Sequence, residues 1–183
     1  LDNFINKFNY LGAAFGVSTQ IKEYVDLEEF FLEATLYFEI DSRTKQAILN
    51  WCAKYAILLS PSKIRRLSVQ IKYNNDSLDF IVQFLLANNY VKHNWSILIK
   101  RKIKIVINFQ ENFKKYLKSN TFIIKNVPEI RYRAEGRSQV IADILAFTEK
   151  KRFKSLYELA KNIHSPRNRV NETFRQLQFF GII

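Results

Sequence analysis

Apolar spacing along the first half of the chain describes a succession of helix faces. In FFLEATLYFEI, the residues Phe30, Phe31, Ala34, Leu36, Tyr37 and Phe38 make one broad apolar side. Asp26-Leu27-Glu28-Glu29 just before it sets a capping residue three places ahead of a glutamate, an arrangement that satisfies free amide donors at a helix start. Asp41-Ser42 opens a second helix, in which Ala47, Ile48, Trp51, Cys52, Tyr55 and Leu58 recur at the three-and-four spacing of a buried stripe. Ser60-Pro61 is a cap followed by proline at the first helical position. The helix it starts turns Ile64, Leu67 and Ile71 inward and Lys63, Arg65 and Arg66 outward. Asn74-Asn75-Asp76-Ser77 reads as a turn, and LDFIVQFLLANN as another apolar-faced helix.

The pattern then blurs. Ile97 to Ile107 is rich in β-branched residues and partly alternates like a strand, but its length without a turn signal favours a helix. Residues 119–126 read as a loop or linker containing a short strand at Phe122-Ile123-Ile124. Helical spacing returns at Ser138–Glu149, with Val140, Ile141, Ile144, Leu145 and Phe147 on the buried side. A basic loop from Lys150 to Lys154 follows, and Ser155-Leu156-Tyr157-Glu158 is a second capping box. It opens a short helix with Leu156, Leu159, Ala160 and Ile163 inward. His164 falls in the turn, and Ser165-Pro166 reads as the cap and first position of a last helix. There Val170, Phe174 and Leu177 form one stripe, and Gly181 provides the left-handed stop.

Charge changes the picture. The chain of 183 residues carries a formal +12. Leu1 to Ile99 balances ten Lys/Arg with ten Asp/Glu, whereas Lys100 to Ile183 sets 19 against seven. The whole excess lies in the second half, and a basic field on that scale attracts a polyanion, usually nucleic acid. Arg131, Arg133 and Arg137, just before the Ser138 helix, either flank a nucleic-acid backbone or pair with Asp143 and Glu135.

Enzymatic chemistry has little to stand on. Four glycines and no phosphate-cradling loop motif argue against nucleotide chemistry. His93 and His164 lack ligand partners at metal spacing, and Cys52 sits on an apolar face as a small core residue, so no metal, cofactor or catalytic residue is expected. Glu28, Glu29 and Glu33 read as helix-start electrostatics. A single cysteine rules out an internal disulfide framework and suits a reducing cytoplasm. No apolar run is long enough for a membrane span, and the N-terminal residues lack a signal-peptide layout. The lack of any methionine, even at position 1, reads as a trimmed chain.

From Ser155 on, the order SxxELAKxIxSxxxxVxxxFxxLxxxGII resembles the winged helix-turn-helix regulators of bacteria and archaea, over roughly Gly136 to Ile183. The resemblance implies a support helix, a recognition helix over 166–179 and a two-stranded wing after Gly181. A cut chain, a wingless three-helix variant and a purely structural motif stay open. The expected fold is therefore mainly α, a helical domain over 1–120 for self-association or docking, then a basic winged helix-turn-helix domain over 121–183. The expected function is sequence-specific binding of double-stranded DNA as a transcriptional regulator, with a homodimer reading two half-sites. Opposite the last apolar stripe stand Arg167, Asn168, Asn171, Glu172 and Arg175. Arginine and asparagine there suit guanine and adenine edges. Ser165 with the amides after it, Lys150, Lys151, Arg152, Lys154 and Arg169 are placed on phosphates. The alternatives are an adaptor whose basic half docks an acidic protein, and an RNA-binding module.

Overall fold

The computed structural model describes residues 1–16, 21–103, 109 and 111–183. Among them the chain folds into α1 (Asp2–Tyr10), α2 (Leu27–Leu36), α3 (Ser42–Tyr55), α4 (Pro61–Leu67), α5 (Asn75–Ala87), α6 (Phe113–Tyr116), α7 (Asn120–Asn126), α8 (Pro128–Ala134), α9 (Gln139–Lys150), α10 (Leu156–Asn162) and α11 (Arg167–Phe179). Two 3-10 turns, Ala56–Leu58 and His93–Leu98, complete the list. No helix among the described residues is long and apolar enough to cross a membrane.

The caps read from sequence hold at most helix starts. The side chains of Asp26, Asp41, Ser60 and Ser155 accept from amides in the first turns of α2, α3, α4 and α10. The box at α10 is closed by Glu158, whose carboxylate accepts from the Lys154 amide at 2.8 Å. The box at α2 is open, because Glu29 turns away to His164.

Buried apolar side chains form two clusters. The larger runs from Phe4 to Ile130 and is crowded with rings: Phe4 stacks on Phe30 at 5.6 Å and Phe30 meets Trp51 edge-on at 5.2 Å. Trp51 also donates to the Leu11 carbonyl at 3.0 Å, so its polar atom is satisfied in the core. Ile123, Val127 and Ile130, from α7 and α8, belong to this cluster. The smaller cluster joins Val140, Ile144, Leu145 and Phe147 of α9 to Leu159, Ala160 and Ile163, and to Val170 and Leu177 of α11. Phe174 packs against it half-buried, its ring 5.5 Å from that of Phe153. The stripe read in the last helix is thus its buried side.

Several expectations are corrected. Among the described residues there is no β-strand, only an isolated antiparallel bridge between Ala13 and Leu117. No wing is present among the described residues, and the winged helix-turn-helix assignment falls with it. The physical reason is that the quoted motif records caps and an apolar stripe, which any three packed helices require. A wing needs two alternating runs paired by backbone hydrogen bonds. Residues 119–126, read as a loop with a short strand, form helix α7, started by Ser119 accepting from the Phe122 amide. Of the helix expected over 97–107, only Leu98 and the residues before it lie in a 3-10 turn, and 104–108 fall outside the described residues. The backbone after it is held instead by α5: Asp79 accepts from the amides of Lys100 and Arg101, and Gln83 from that of Ile103.

The turn before α11 also departs from expectation. Pro166 is extended and serves as the N-cap, so α11 starts at Arg167 and Ser165 caps nothing. His164 adopts a left-handed φ of 48° and closes α10 as a glycine commonly does: the His164 amide bonds to Lys161 and the Ser165 amide to Ala160. Gly181, at φ 64°, ends α11 with the same pair of bonds, to Gln178 and Leu177, as its sequence position suggests.

Candidate nucleic-acid interface

The sequence from Lys150 to Arg175 holds eight Lys/Arg and two Asp/Glu. With Val170 and Leu177 buried, α11 turns Arg167, Asn168, Arg169, Glu172 and Arg175 to solvent. Arg167, Asn171 and Arg175 follow one edge of α11 at a spacing of four, and Asn171 in the middle is half-buried with its Oδ1 closed off from solvent. Lys151, Arg152 and Lys154, on the link between α9 and α10, are exposed. None of Lys151, Arg152, Lys154, Arg167, Arg169 or Arg175 forms an ion pair among the described residues. Their field is therefore open to an outside anion.

Other residues placed in this group by sequence are engaged elsewhere. Lys150 donates to Glu129 and to the Glu23 carbonyl, both at 2.8 Å, and lies 4.0 Å over the Tyr10 ring. Burial lowers its pKa, against the pull of Glu129. It ties α9 to α1 and α8 rather than facing a phosphate. Ser165 is half-buried and its hydroxyl donates to the Ile163 carbonyl at 3.4 Å. Of the two readings of the arginines before α9, pairing is the one realised. Arg131 bonds to Glu149, Arg137 to Glu135 at 3.0 Å, and Arg133 is buried against Glu28 and Asp143.

That last contact belongs to a group sequence reasoning missed. Lys63, read as outward, is only 2% exposed. Its Nζ lies 2.5 Å from Asp26, 2.9 Å from Asp143 and 3.2 Å from Glu28. Arg133 grips Glu28 with two parallel bonds of 2.5 and 2.8 Å, and reaches Asp143 at 2.6 Å. Three carboxylates and two cations are thus enclosed between α2, α4, α8 and α9, all nearly without solvent. Asp26, Glu28 and Asp143 bring oxygens within 4.8 Å of one another, a spacing that could hold a metal ion, but the Lys63 ammonium stands at the centre of that set. Burial pushes the Glu28 carboxyl up, yet Arg133 and Lys63 more than reverse this and hold it at about 2. Burial, helped by Glu28 and Asp143, lifts Asp26 to about 6 against the pull of Lys63. Three carboxylates against two cations leave the cluster with one negative charge in excess.

The α10–α11 turn meets the first cluster at a second polar contact. His164 Nε2 is 3.0 Å from Glu29 Oε2, and the Arg66 guanidinium donates to the His164 carbonyl. The Glu29 hydrogen bond raises the His164 pKa. The signal for these contacts was faint in the sequence, since their partners lie 135 and 98 residues apart. No family model, curated protein or solved structure matches the chain.

Proposed function

We propose that this protein binds double-stranded DNA through the exposed side of α11 and the basic link before α10, as a transcriptional regulator acting in the cytoplasm. The observation that carries this reading is the cluster of exposed cations on one three-helix unit, without ion-pair partners among the described residues: Lys151, Arg152, Lys154, Arg167, Arg169 and Arg175. A duplex supplies closely spaced phosphates for such a field, and counterion release then drives binding. Arg167 and Asn168 stand at the start of α11, exposed, with side chains of the type that pair with guanine and adenine edges. Lys151, Arg152 and Lys154 fit phosphates, which position a protein without specifying sequence. A homodimer would place two such helices on two half-sites.

The test is a gel-shift comparison of duplex DNA, single-stranded DNA and structured RNA at two salt concentrations. Duplex preference with a steep loss at the higher salt is expected. Arg167→Ala is expected to relax sequence preference, by roughly 1–3 kcal/mol for a lost base contact, and Lys151→Ala to weaken all duplexes alike. Equal, salt-insensitive losses in both variants would contradict this division. Light scattering with and without duplex checks the dimer.

A protein-docking reading is favoured by one observation. Phe179 and Phe180 are 85% and 71% exposed, next to the half-exposed Ile182 and Ile183, and this is an apolar surface that DNA would not use. Failure to shift any nucleic acid would move the assignment there.

A further inference from the structure

We propose that the nucleic-acid face continues across the α10–α11 turn onto α4, where Arg65 and Arg66 contact phosphates of the same duplex as Arg167. This rests on the DNA-binding reading above and adds to it two residues from the charge-balanced half of the chain.

The geometry is set by Arg66, whose guanidinium donates to the carbonyl of His164. That bond fixes the exposed side of α4 against the turn from which α11 starts. Arg167 lies three residues further on, and three residues span at most about 11 Å. Phosphates of one strand are about 3.4 Å apart along a duplex axis, so a span of that length along the axis covers about three of them.

Charge points the same way. On α4, Lys63, Ile64 and Leu67 are buried, which leaves Arg65 and Arg66 as its exposed cations. Neither forms an ion pair among the described residues, whereas Lys7 and Lys45 of the same half are matched with Glu33 and Glu39. The acids packed nearby are already occupied. Glu29 is bonded to His164, and Asp26 and Glu28 are turned inward to Lys63 and Arg133. Glu29 keeps its charge at this turn through its bond to His164, and the two guanidinium groups on α4 stay without an ion-pair partner among the described residues. Their planar fork matches phosphate oxygens.

The experiment is fluorescence anisotropy of the full chain on labelled duplexes over a salt series. Arg65→Ala, which removes no side-chain hydrogen bond or ion pair among the described residues, is expected to weaken binding roughly three- to tenfold and to make the slope of log K against log salt shallower by about 0.9. The order of preference among duplexes should not change. Arg65→Glu should weaken binding further, and Arg66→Lys, which keeps the charge, should bind close to the unsubstituted chain. If Arg65→Ala and Arg65→Glu bind with unchanged affinity and slope while Lys151→Ala loses both, α4 lies outside the interface and the DNA reading alone survives. If the unsubstituted chain binds no duplex, both are overturned. Competition by polyglutamate as strong as by duplex, at equal charge, overturns the phosphate assignment in favour of an acidic protein partner.

Discussion

A single side chain shows how burial reassigns chemistry. Lys63 stands next to Ile64 and four places before Leu67, so by helical spacing it shares their inward side. Lysine is placed outward by default because leaving a charge unpaired in the interior is costly. Here the carboxylates that offset the cost come from 37 and 80 residues away, which no local window contains. His164 carries the residue-scale prediction. Its folded pKa lies above its ordinary 6.5, chiefly through the Glu29 hydrogen bond, with Asp26 and Glu29 raising it and burial and Lys63 opposing. A raised value means that this contact contributes fully below pH 6.5 and is lost as pH rises through the folded value. Glu29, held below its ordinary 4.5 mainly by His164, contributes above pH 4.5 and fades as pH falls through its lowered value. The pair is therefore strongest between those limits. Both side chains are partly exposed, so it is worth about 1 kcal/mol or less. NMR titration of the imidazole should give a midpoint above 6.5 that returns toward 6.5 in Glu29→Gln. An unchanged midpoint would mean that the contact does not form in solution.

At the scale of elements, sequence was most legible where one residue controls one local geometry. Caps at Asp26, Asp41, Ser60 and Ser155 and the stop at Gly181 are read from side-chain type alone, because each answers an unpaired backbone group within its own helix turn. Helix α7 was hidden: Asn120–Asn126 buries only Ile123, so it has no stripe to find. The place of Ile123 against Gly12 could not be seen either. Gly12 has a φ of 108°, and a Cβ there would lie 2.6 Å from Ile123 Cδ1. Gly12→Ala is expected to destabilise by about 1–3 kcal/mol, from backbone strain and from the displaced Ile123 side chain. Urea denaturation checks this; a loss near zero would show that α1 and α7 separate readily.

For the molecule as a whole, the buried ion cluster joins what the apolar side chains leave as two groups. Lys63 and Glu28 come from the larger cluster's helices, and Asp143 from the smaller one's α9. Removing one cation leaves carboxylates buried without compensation, typically 3–5 kcal/mol, against a total stability of about 5–15 kcal/mol. Arg133→Ala is therefore expected to lower the melting temperature by roughly 10 °C. Circular dichroism and the fluorescence of Trp51 and Trp95, which lie in the larger cluster, provide the readout. A shift below about 2 °C would mean that the cluster is stabilised by less than its geometry implies. The basic face belongs to this scale too. Its charge could be counted from sequence, but which cations remain free was decided by Glu129 taking Lys150, and by Glu28, Glu149 and Glu135 taking the arginines before α9.

By itself the chain's order of residues determined a helical fold, most helix starts, the buried stripe of α11 and the concentration of positive charge in its second half. These follow from interactions within a few residues, or from simple counting. Tertiary structure alone decided that residues 120–126 form a helix and not a strand, that Lys63 and Arg133 lie inside, and that Arg66 meets the turn before α11. Those outcomes depend on groups far apart in sequence whose attraction has effect only once packing has removed the water between them.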